Sequence, residues 1–397
     1  MTSLPQLAPA TTPLHGLQPA EQHFSVLSYN VLLPNSGGGG WWVSKYYDDT
    51  TAPQHRTWAH RQALLRQTLL DAMADIVCLQ EVVAETWDDD FGFMLEAGYA
   101  SALHRKFRLR PATFWRSERW DEVVVRHKDK TLVTLLRERS TERLLAVINV
   151  HLTAAPQPKR RFQQLFEALD QVRKECFKLK HDPTTVAVVV CGDFNCNPED
   201  TATDHLLCQG PIDPDFREPR WPEQQISSKV RGQPFGPFMD LVRTANGGTP
   251  MPTLIAVRLA EVFSTEGLAS AIRAMFAQFA GEAEVMDREA VEAWVNRING
   301  ELRGSEYTKA QEVFAHKGAE TLTSEELLSI YLSELHEGKY WSVHHDLQVC
   351  GVAPPVDKTL FETSLDRIYI NTSVLRGVMV RDPLTPEQRQ LLYDDKQ

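Results

Sequence analysis

No run of about eighteen apolar residues occurs in the sequence, which excludes a helix long enough to cross a bilayer. The first 22 residues carry no lysine or arginine, so the basic start of a secretory signal and the arginines of a transit peptide are both missing. That stretch is rich in Pro, Ala, Thr and Gln and reads as a disordered tail. The six cysteines, at 78, 176, 191, 196, 208 and 350, show no short paired spacing of the zinc or redox type. Cys78 and Cys191 lie inside apolar runs and read as small core residues. A reducing compartment, cytoplasmic or nuclear, is the expected home. No tandem repeat stands out.

What is present suffices for a core. Of 397 residues, 42% are hydrophobic and 24% charged, which excludes a wholly disordered chain. The length suits about two domains, or one large domain with an insertion. The net charge of −11 is unevenly spread. Residues 101–180 hold 19 Lys/Arg against 9 Asp/Glu, a balance of +10, whereas residues 251–350 hold 8 against 16, a balance of −8. Opposite signs suggest different jobs, although two solvated faces would give the same counts.

From residue 24 strand-like and helix-like patterns alternate. FSVLSYNVLL (24–33) and DIVCLQEV (75–82) read as strands, and RTWAHRQALLRQTLLDAM (56–73) as a helix with Trp58, Leu65, Leu69 and Met73 on one face. Further strands are expected at 112–116, 120–126, 131–137 and 144–151. A helix follows over 158–180, where Phe162, Leu165, Phe166, Leu169 and Val172 repeat every three or four residues. VAVVVC (186–191) reads as a fully buried strand, with a short helix over 200–207. Gly37–Gly40 before Trp41 and Trp42 marks a loop. After Pro250 the pattern is helical through 337, and strand-like sequence returns at 364–371 and 374–380.

Strand ends carry polar residues that a core strand does not need: Asn30 in LSYNVL, Glu81 in CLQEV, His151 in INVHL, Asp193 and Asn195 in CGDFN, and Asp366 in SLDRIYI. Singly each has a structural explanation. Asn30 suits a turn, Glu81 a helix start, His151 a half-exposed edge, and GDFN a tight turn. Together they describe a cleft in which oxygen ligands meet a hard divalent cation, which takes the rest of its shell from water and substrate phosphate. His151 supplies a donor for phosphate or leaving group, and an Asp that orients water completes a hydrolytic site. The basic 101–180 region would be the footprint for a polyanion.

The order SYN, LQE, NVHL, GDFN and LDRIYI resembles the endonuclease/exonuclease/phosphatase superfamily, which includes deoxyribonuclease I. LSYNVLLP, Trp58 with Arg61, and DIVCLQEV are most similar to its deadenylase branch, and GDFNCNPED, with Pro198, is the most specific stretch. The similarity covers about 23–245 and 355–380. It implies an α/β fold, a four-layer αββα sandwich of two mixed sheets, with the site at one edge. It also implies Mg²⁺, or Mn²⁺, held by Glu81 with Asn30. Asp193 would align the attacking water, Asn195 and His151 would hold the scissile phosphate, and Asp366 would support them. The implied activity is metal-dependent hydrolysis of a phosphodiester, nuclease-like, on RNA or DNA, although the fold also serves phosphoinositides and sphingolipids. Trp41, Trp42, Tyr46 and Tyr47 are candidates for stacking on bases or for a packed loop.

Two departures accompany the resemblance. The family's terminal Ser-Asp-His is missing, since Asp394 and Asp395 are followed by Lys396, and Asp204–His205 copies the dipeptide on a helix facing away from the site. Arg367 stands where His or Tyr is common. These features imply a truncated or impaired enzyme, slower than complete relatives, and leave open a scaffold protein built on a decayed enzyme.

The expected organisation is a tail (1–22), a catalytic domain in two parts (23–250 and 351–397) and a helical insertion (251–350). Within it, 265–337 resembles an EF-hand pair like that of plant-type family members. With Leu322 at the apolar eighth position, Ala315, Lys317 and Ala319 stand at ligand positions 1, 3 and 5, and only Glu326 at 12 fits. The first loop, GEAEVMD, reads as too short. Ca²⁺ binding is therefore not expected, and residues 255–340 are read as a packed helical module, with a protein-docking surface compatible.

Overall fold

A computed structural model describes residues 11–13, 23–32, 52–106, 108–154, 157–196, 201–250, 254–259, 265–336, 339–354, 358–377 and 379–381. The expected Gly37–Gly40 loop, Trp41, Trp42, Tyr46, Tyr47, Pro198 and residues 382–397 lie outside them. The chain divides into two compact units: Ile255–Phe361 forms the body of one, and the segments ending at Leu254 and resuming at Glu362 form the other. Both boundaries fall later than the sequence pattern suggested, because strands Leu254–Leu259 and Lys358–Thr363 pair as a two-stranded ribbon.

In chain order the first unit contains β1 (Val26–Asn30), α1 (Trp58–Ala72), β2 (Ile76–Val82), α2 (Trp87–Glu96), β3 (Tyr99–Leu103) and β4 (Arg110–Arg116). There follow β5 (Trp120–Lys128), β6 (Thr131–Glu138), β7 (Leu144–His151), α3 (Pro158–Lys178), β8 (Ala187–Asp193), β9 (Phe238–Asp240) and β10 (Asp366–Asn371). Local chemistry sets the helix ends. Thr57 caps α1 by accepting the His60 amide, and Pro158, with its preset φ, opens α3. Helix α2 was not anticipated: its signal is three acidic residues in the first turn, Asp88–Asp90, where they face the helix dipole.

One sheet has the order β1-β2-β4-β3 and the other β9-β10-β8-β7-β6-β5; only β1/β2 and β7/β8 pair parallel. Period-two alternation sorts their side chains. Ile76, Cys78, Trp115, Leu145, Val147, Val189 and Cys191 meet between the sheets. On the outer face of the four-stranded sheet, Val77, Leu79 and Phe114 pack on Leu65 and Leu69 of α1 and on Phe91 and Met94 of α2. On the outer face of the other, Ile148, Val188 and Val190 pack on Phe162, Leu165 and Leu169 of α3. The result is the expected four-layer αββα sandwich. Within the tail expected to be disordered, Thr11–Pro13 instead pairs antiparallel with Met379–Arg381, Thr12 in register with Val380. Of the strand expected at 374–380, the described residues show strand at Met379–Arg381 and none over 374–377.

The second unit holds α4 (Thr265–Ala280), α5 (Arg288–Asn299), α6 (Ser305–Lys317), α7 (Ser324–His336) and α8 (Tyr340–Val349) around Met275, Trp294, Tyr331 and Leu347. Val285–Asp287 and Thr321–Thr323 pair as a short antiparallel ribbon, with Met286 opposite Leu322.

Gly192 fixes how closely β8 approaches β7. Its φ is +128°, and a Cβ added there would lie 2.1 Å from the Val150 carbonyl oxygen, which is backbone and cannot yield. Gly192→Ala should therefore lower stability by about 2–4 kcal/mol. Denaturant unfolding with an unchanged midpoint would show that the strands have slack here.

Candidate active site

Sheet geometry brings the polar strand ends together. Asn30 ends β1, Glu81 lies one residue from the end of β2, His151 ends β7, Asp193 ends β8 and Asp366 begins β10. His151 is in register with Asp193, and Asp193 with Asp366. Asn30 Nδ2 donates to Glu81 Oε1 at 3.1 Å and to Asp193 Oδ2 at 2.9 Å, so one amide holds a carboxylate from each sheet. His151 Nε2 stands 3.6 Å from Glu81 Oε1 and 4.0 Å from Asp193 Oδ2. Ligand atoms of Glu81, His151 and Asp193 lie within 4.8 Å of one another. That donor set, oxygens from two carboxylates with one imidazole nitrogen, fits a divalent cation.

The backbone is strained where it delivers these groups. Glu81 (φ 63°), Asn195 (φ 48°) and Leu32 (φ 53°) are left-handed without being glycine, each costing about 1–3 kcal/mol that the surroundings must offset. For Leu32 the surroundings are Arg61, which donates to the carbonyls of Val31 at 2.7 Å and Leu32 at 3.2 Å, while the Leu32 amide donates to Asn30 Oδ1 at 2.9 Å. For Glu81 they lie inside the sandwich. The β2/β4 register slips between Leu79 and Val82, forming a bulge that turns Glu81 into the site. Fully buried Asn149 reaches across from the other sheet and donates to the carbonyls of Leu79 (3.1 Å) and Ala112 (2.8 Å), while its Oδ1 accepts from Gln80 Nε2 at 2.9 Å. Sequence reasoning missed Asn149 and Gln80. The available signal was a polar residue two before His151 and one before Glu81, inside otherwise apolar strands.

Electrostatics follow from burial. Burial raises the pKa of Asp193 well above the ordinary carboxylate value, with Asp366 and Glu81 adding repulsion and the Asn195 amide and Asn30 opposing it. His151 is pushed down to about 3 by burial, assisted by the Lys130 ammonium, so its imidazole is neutral at neutral pH. Lys130, another residue the sequence did not single out, is lowered by burial against the favourable charges of Asp129 and Glu81.

Asn195 is only partly where it was expected. Its backbone amide donates to Asp193 Oδ1 at 2.8 Å, and its side-chain nitrogen donates to the Leu152 carbonyl at 2.9 Å. Of the dipeptide Asp204–His205, His205 packs edge-on against Phe216, while Asp204 accepts from the Tyr369 hydroxyl at 3.0 Å. Asp204 nonetheless shares a cavity of about 190 Å³ with Asp366, Asp240, Arg243 and Arg367. Arg367 is buried, donates to the same Tyr369 hydroxyl at 3.0 Å and lies 6.0 Å from the ring centre of Phe194. It clamps the GDFN turn from behind.

The family model described as Endonuclease/Exonuclease/phosphatase family matches residues 27–387. The chain belongs to this family. Carbon catabolite repressor protein 4 homolog 3 of Arabidopsis thaliana is 27% identical over 206 residues, 48% of this chain and 43% of that protein. The CCR4-Not complex 3'-5'-exoribonuclease subunit Ccr4 of Candida glabrata is 29% identical over 119 residues, 30% of this chain and 13% of that protein. Among solved structures, ANGEL2, titled a 2',3'-cyclic phosphatase, is 18% identical, with 59% of this chain and 79% of that one covered at a TM-score of 0.47. The chain spans less than half the length of the curated relatives it matches. Membership of the endonuclease/exonuclease/phosphatase family agrees with the motif order and with the sandwich.

Asn149→Ala should remove three buried hydrogen bonds, to the Leu79 and Ala112 carbonyls and from Gln80, and cost about 3 kcal/mol. It should also weaken divalent-cation affinity roughly tenfold or more, as loss of groups that orient ligands does. Denaturant unfolding and calorimetric Mg²⁺ titration check both; full affinity in a destabilised variant would separate Asn149 from Glu81.

Proposed function

We propose that the chain is a divalent-metal-dependent phosphodiesterase that cleaves nucleic acid by activating water. The observation that carries this reading is Asn30 Nδ2 placed between Glu81 and Asp193, with His151 Nε2 within 4.0 Å of both carboxylates. Glu81, with Asn30 beside it, would hold Mg²⁺ or Mn²⁺. When bound, that ion polarises the phosphate and offsets charge on its oxygens. Asp193 takes a proton from water, and its burial next to Asp366 makes it a stronger base than an exposed carboxylate. The Asn195 amide fixes Asp193 Oδ1, leaving Oδ2 toward the cluster. Neutral His151 offers a hydrogen bond to a phosphate oxygen without adding a charge. RNA is the favoured substrate because relatives of this chain are named as exoribonuclease subunits.

Changes to groups that merely orient ligands cost 10–100-fold, so loss of the ligand itself should cost at least about a hundredfold. Glu81→Gln should therefore lose calorimetrically detectable Mg²⁺ binding and drop hydrolysis of bis(p-nitrophenyl) phosphate by that much, with an unchanged melting temperature. Unaltered Mg²⁺ affinity in this variant would remove Glu81 from the site.

For the helical unit we propose an EF-hand-like pair that works without calcium. Met286 faces Leu322; taken likewise as the apolar eighth position, it gives the first loop full length, with Phe279, Gly281, Ala283 and Ala290 at positions 1, 3, 5 and 12. In the second loop Lys317 Nζ lies 3.2 Å from both oxygens of Glu326, where an ion would sit between positions 3 and 12. An ammonium thus supplies the missing positive charge. Ca²⁺ at about 10 µM, within the sensor range, should leave the circular dichroism and tryptophan fluorescence of the full chain unchanged. A saturable change lost in Lys317→Ala would overturn this reading. A protein-docking role for residues 255–340 is compatible with it.

A further inference from the structure

Three separate segments carry cations next to the active site, and hydrogen bonds join them into one rim. The Lys106 amide donates to His104 Nδ1 at 3.2 Å, and His104 Nε2 lies 2.8 Å from the Lys128 carbonyl oxygen. This ties the β3–β4 loop, bearing Arg105 and Lys106, to the β5–β6 hairpin. At the hairpin tip Asp129 accepts from Gln164 Nε2 at 2.9 Å and pairs with Arg160 at 3.4 Å, which ties the hairpin to the first turns of α3, bearing Lys159 and Arg160. The hairpin also reaches the catalytic cluster. The His151 amide donates to the Lys130 carbonyl at 2.9 Å, and the Lys130 ammonium acts electrostatically on both Glu81 and His151.

Arg105, Lys106, Lys159 and Arg160 are exposed. Residues 101–110, 126–130 and 157–161 together contain a single carboxylate, Asp129. An ordinary solvated face mixes signs evenly, whereas this one holds a single carboxylate among its cations and begins beside the cluster that would hold the scissile phosphate. A small phosphoester would occupy the cluster and leave the rim without a role. A chain of phosphates would follow it outward.

We propose that this rim binds the backbone phosphates of a polynucleotide strand flanking the scissile bond. The inference rests on the phosphodiesterase reading and names the substrate as a polymer. The test uses the full chain carrying Glu81→Gln, so that nothing is cleaved, and a fluorescein-labelled oligonucleotide of about twelve nucleotides, within the span of known single-strand sites. Adding Arg105→Glu with Lys106→Glu should weaken binding at least tenfold. It should also shrink the slope of log K against log salt by about 1.4, or 0.7 for each phosphate no longer neutralised. Lys159→Glu, on a different segment, should act in the same direction. With Glu81 intact, the Arg105→Glu/Lys106→Glu variant should hydrolyse bis(p-nitrophenyl) phosphate as fast as the parent. Oligonucleotide affinity and salt slope unchanged in both rim variants would overturn the proposal. So would loss of binding to phosphatidylserine vesicles with oligonucleotide binding intact, which would assign the surface to a membrane. If the parent hydrolyses no phosphodiester while the rim variants still lose oligonucleotide affinity, the rim stands and the enzymatic reading falls.

Discussion

Two carboxylates from different sheets cannot share a buried site unless something answers their repulsion, and Asn30 is placed to do so. Its single nitrogen donates to Glu81 and Asp193 at once, while its oxygen accepts the Leu32 amide. The bond to Asp193 crosses between the sheets, while those to Glu81 and Leu32 hold the amide within its own sheet. A charged residue here would bind one carboxylate more strongly but would compete with a metal ion for both. A neutral amide lets them approach without cancelling the negative charge that a hard cation needs.

Behind that contact, the same problem is solved with uncharged groups. A bulge in β2 swings Glu81 out of the alternating pattern just beyond the Leu79–Ala112 pair. Asn149 donates to the Leu79 and Ala112 carbonyls from the facing sheet, in a layer otherwise filled by Ile76, Cys78, Val147 and Cys191. Each buried hydrogen bond of this kind contributes about 1 kcal/mol, so the amide steadies the strand where the bulge begins. Gly192 works in the same place from the other side, by letting β8 lie against the Val150 carbonyl where a side chain would push it away. The site depends on the core as much as on its own residues.

The sequence made this architecture readable where a polar residue interrupts an apolar run at a strand end. Asn30, Glu81, His151, Asp193 and Asp366 all carry that signal, and the structure brings them together. Lys130 does not carry it, because its place beside Glu81 is produced by a hairpin turn in a segment full of other cations. Asn149 and Gln80 were hidden because a polar residue inside a strand is informative only once the facing sheet is known. Helix α2 was missed because Asp88–Asp90 and Gly92 blur its apolar spacing. Arg367 looked like a departure from the family pattern, yet the fold uses it as packing behind Phe194, a role its chemistry gives no hint of. In the helical unit, cross-strand pairing supplied what spacing could not: Met286 stands opposite Leu322.

Charge is the last thing the two units divide between them. The excess of Lys and Arg at 101–180 lies in the sandwich, and the excess of Asp and Glu at 251–350 lies almost wholly in the helical unit. Much of the basic excess is spent internally: Arg119 pairs with Asp75 and Glu138, Arg126 with Glu175, and Arg173 with Asp170. Those pairs satisfy their carboxylates and leave little field. A total of charges therefore says less than their partners do. The cations at the mouth of the site differ in having Asp129 as the one carboxylate in their segments, and that carboxylate is already shared between Arg160 and Gln164. A field that is not cancelled at its source extends about a Debye length, roughly 8–10 Å at physiological salt. It can draw a polyanion toward the Asn30–Glu81–Asp193 cluster, whereas a buried carboxylate pair alone would repel one.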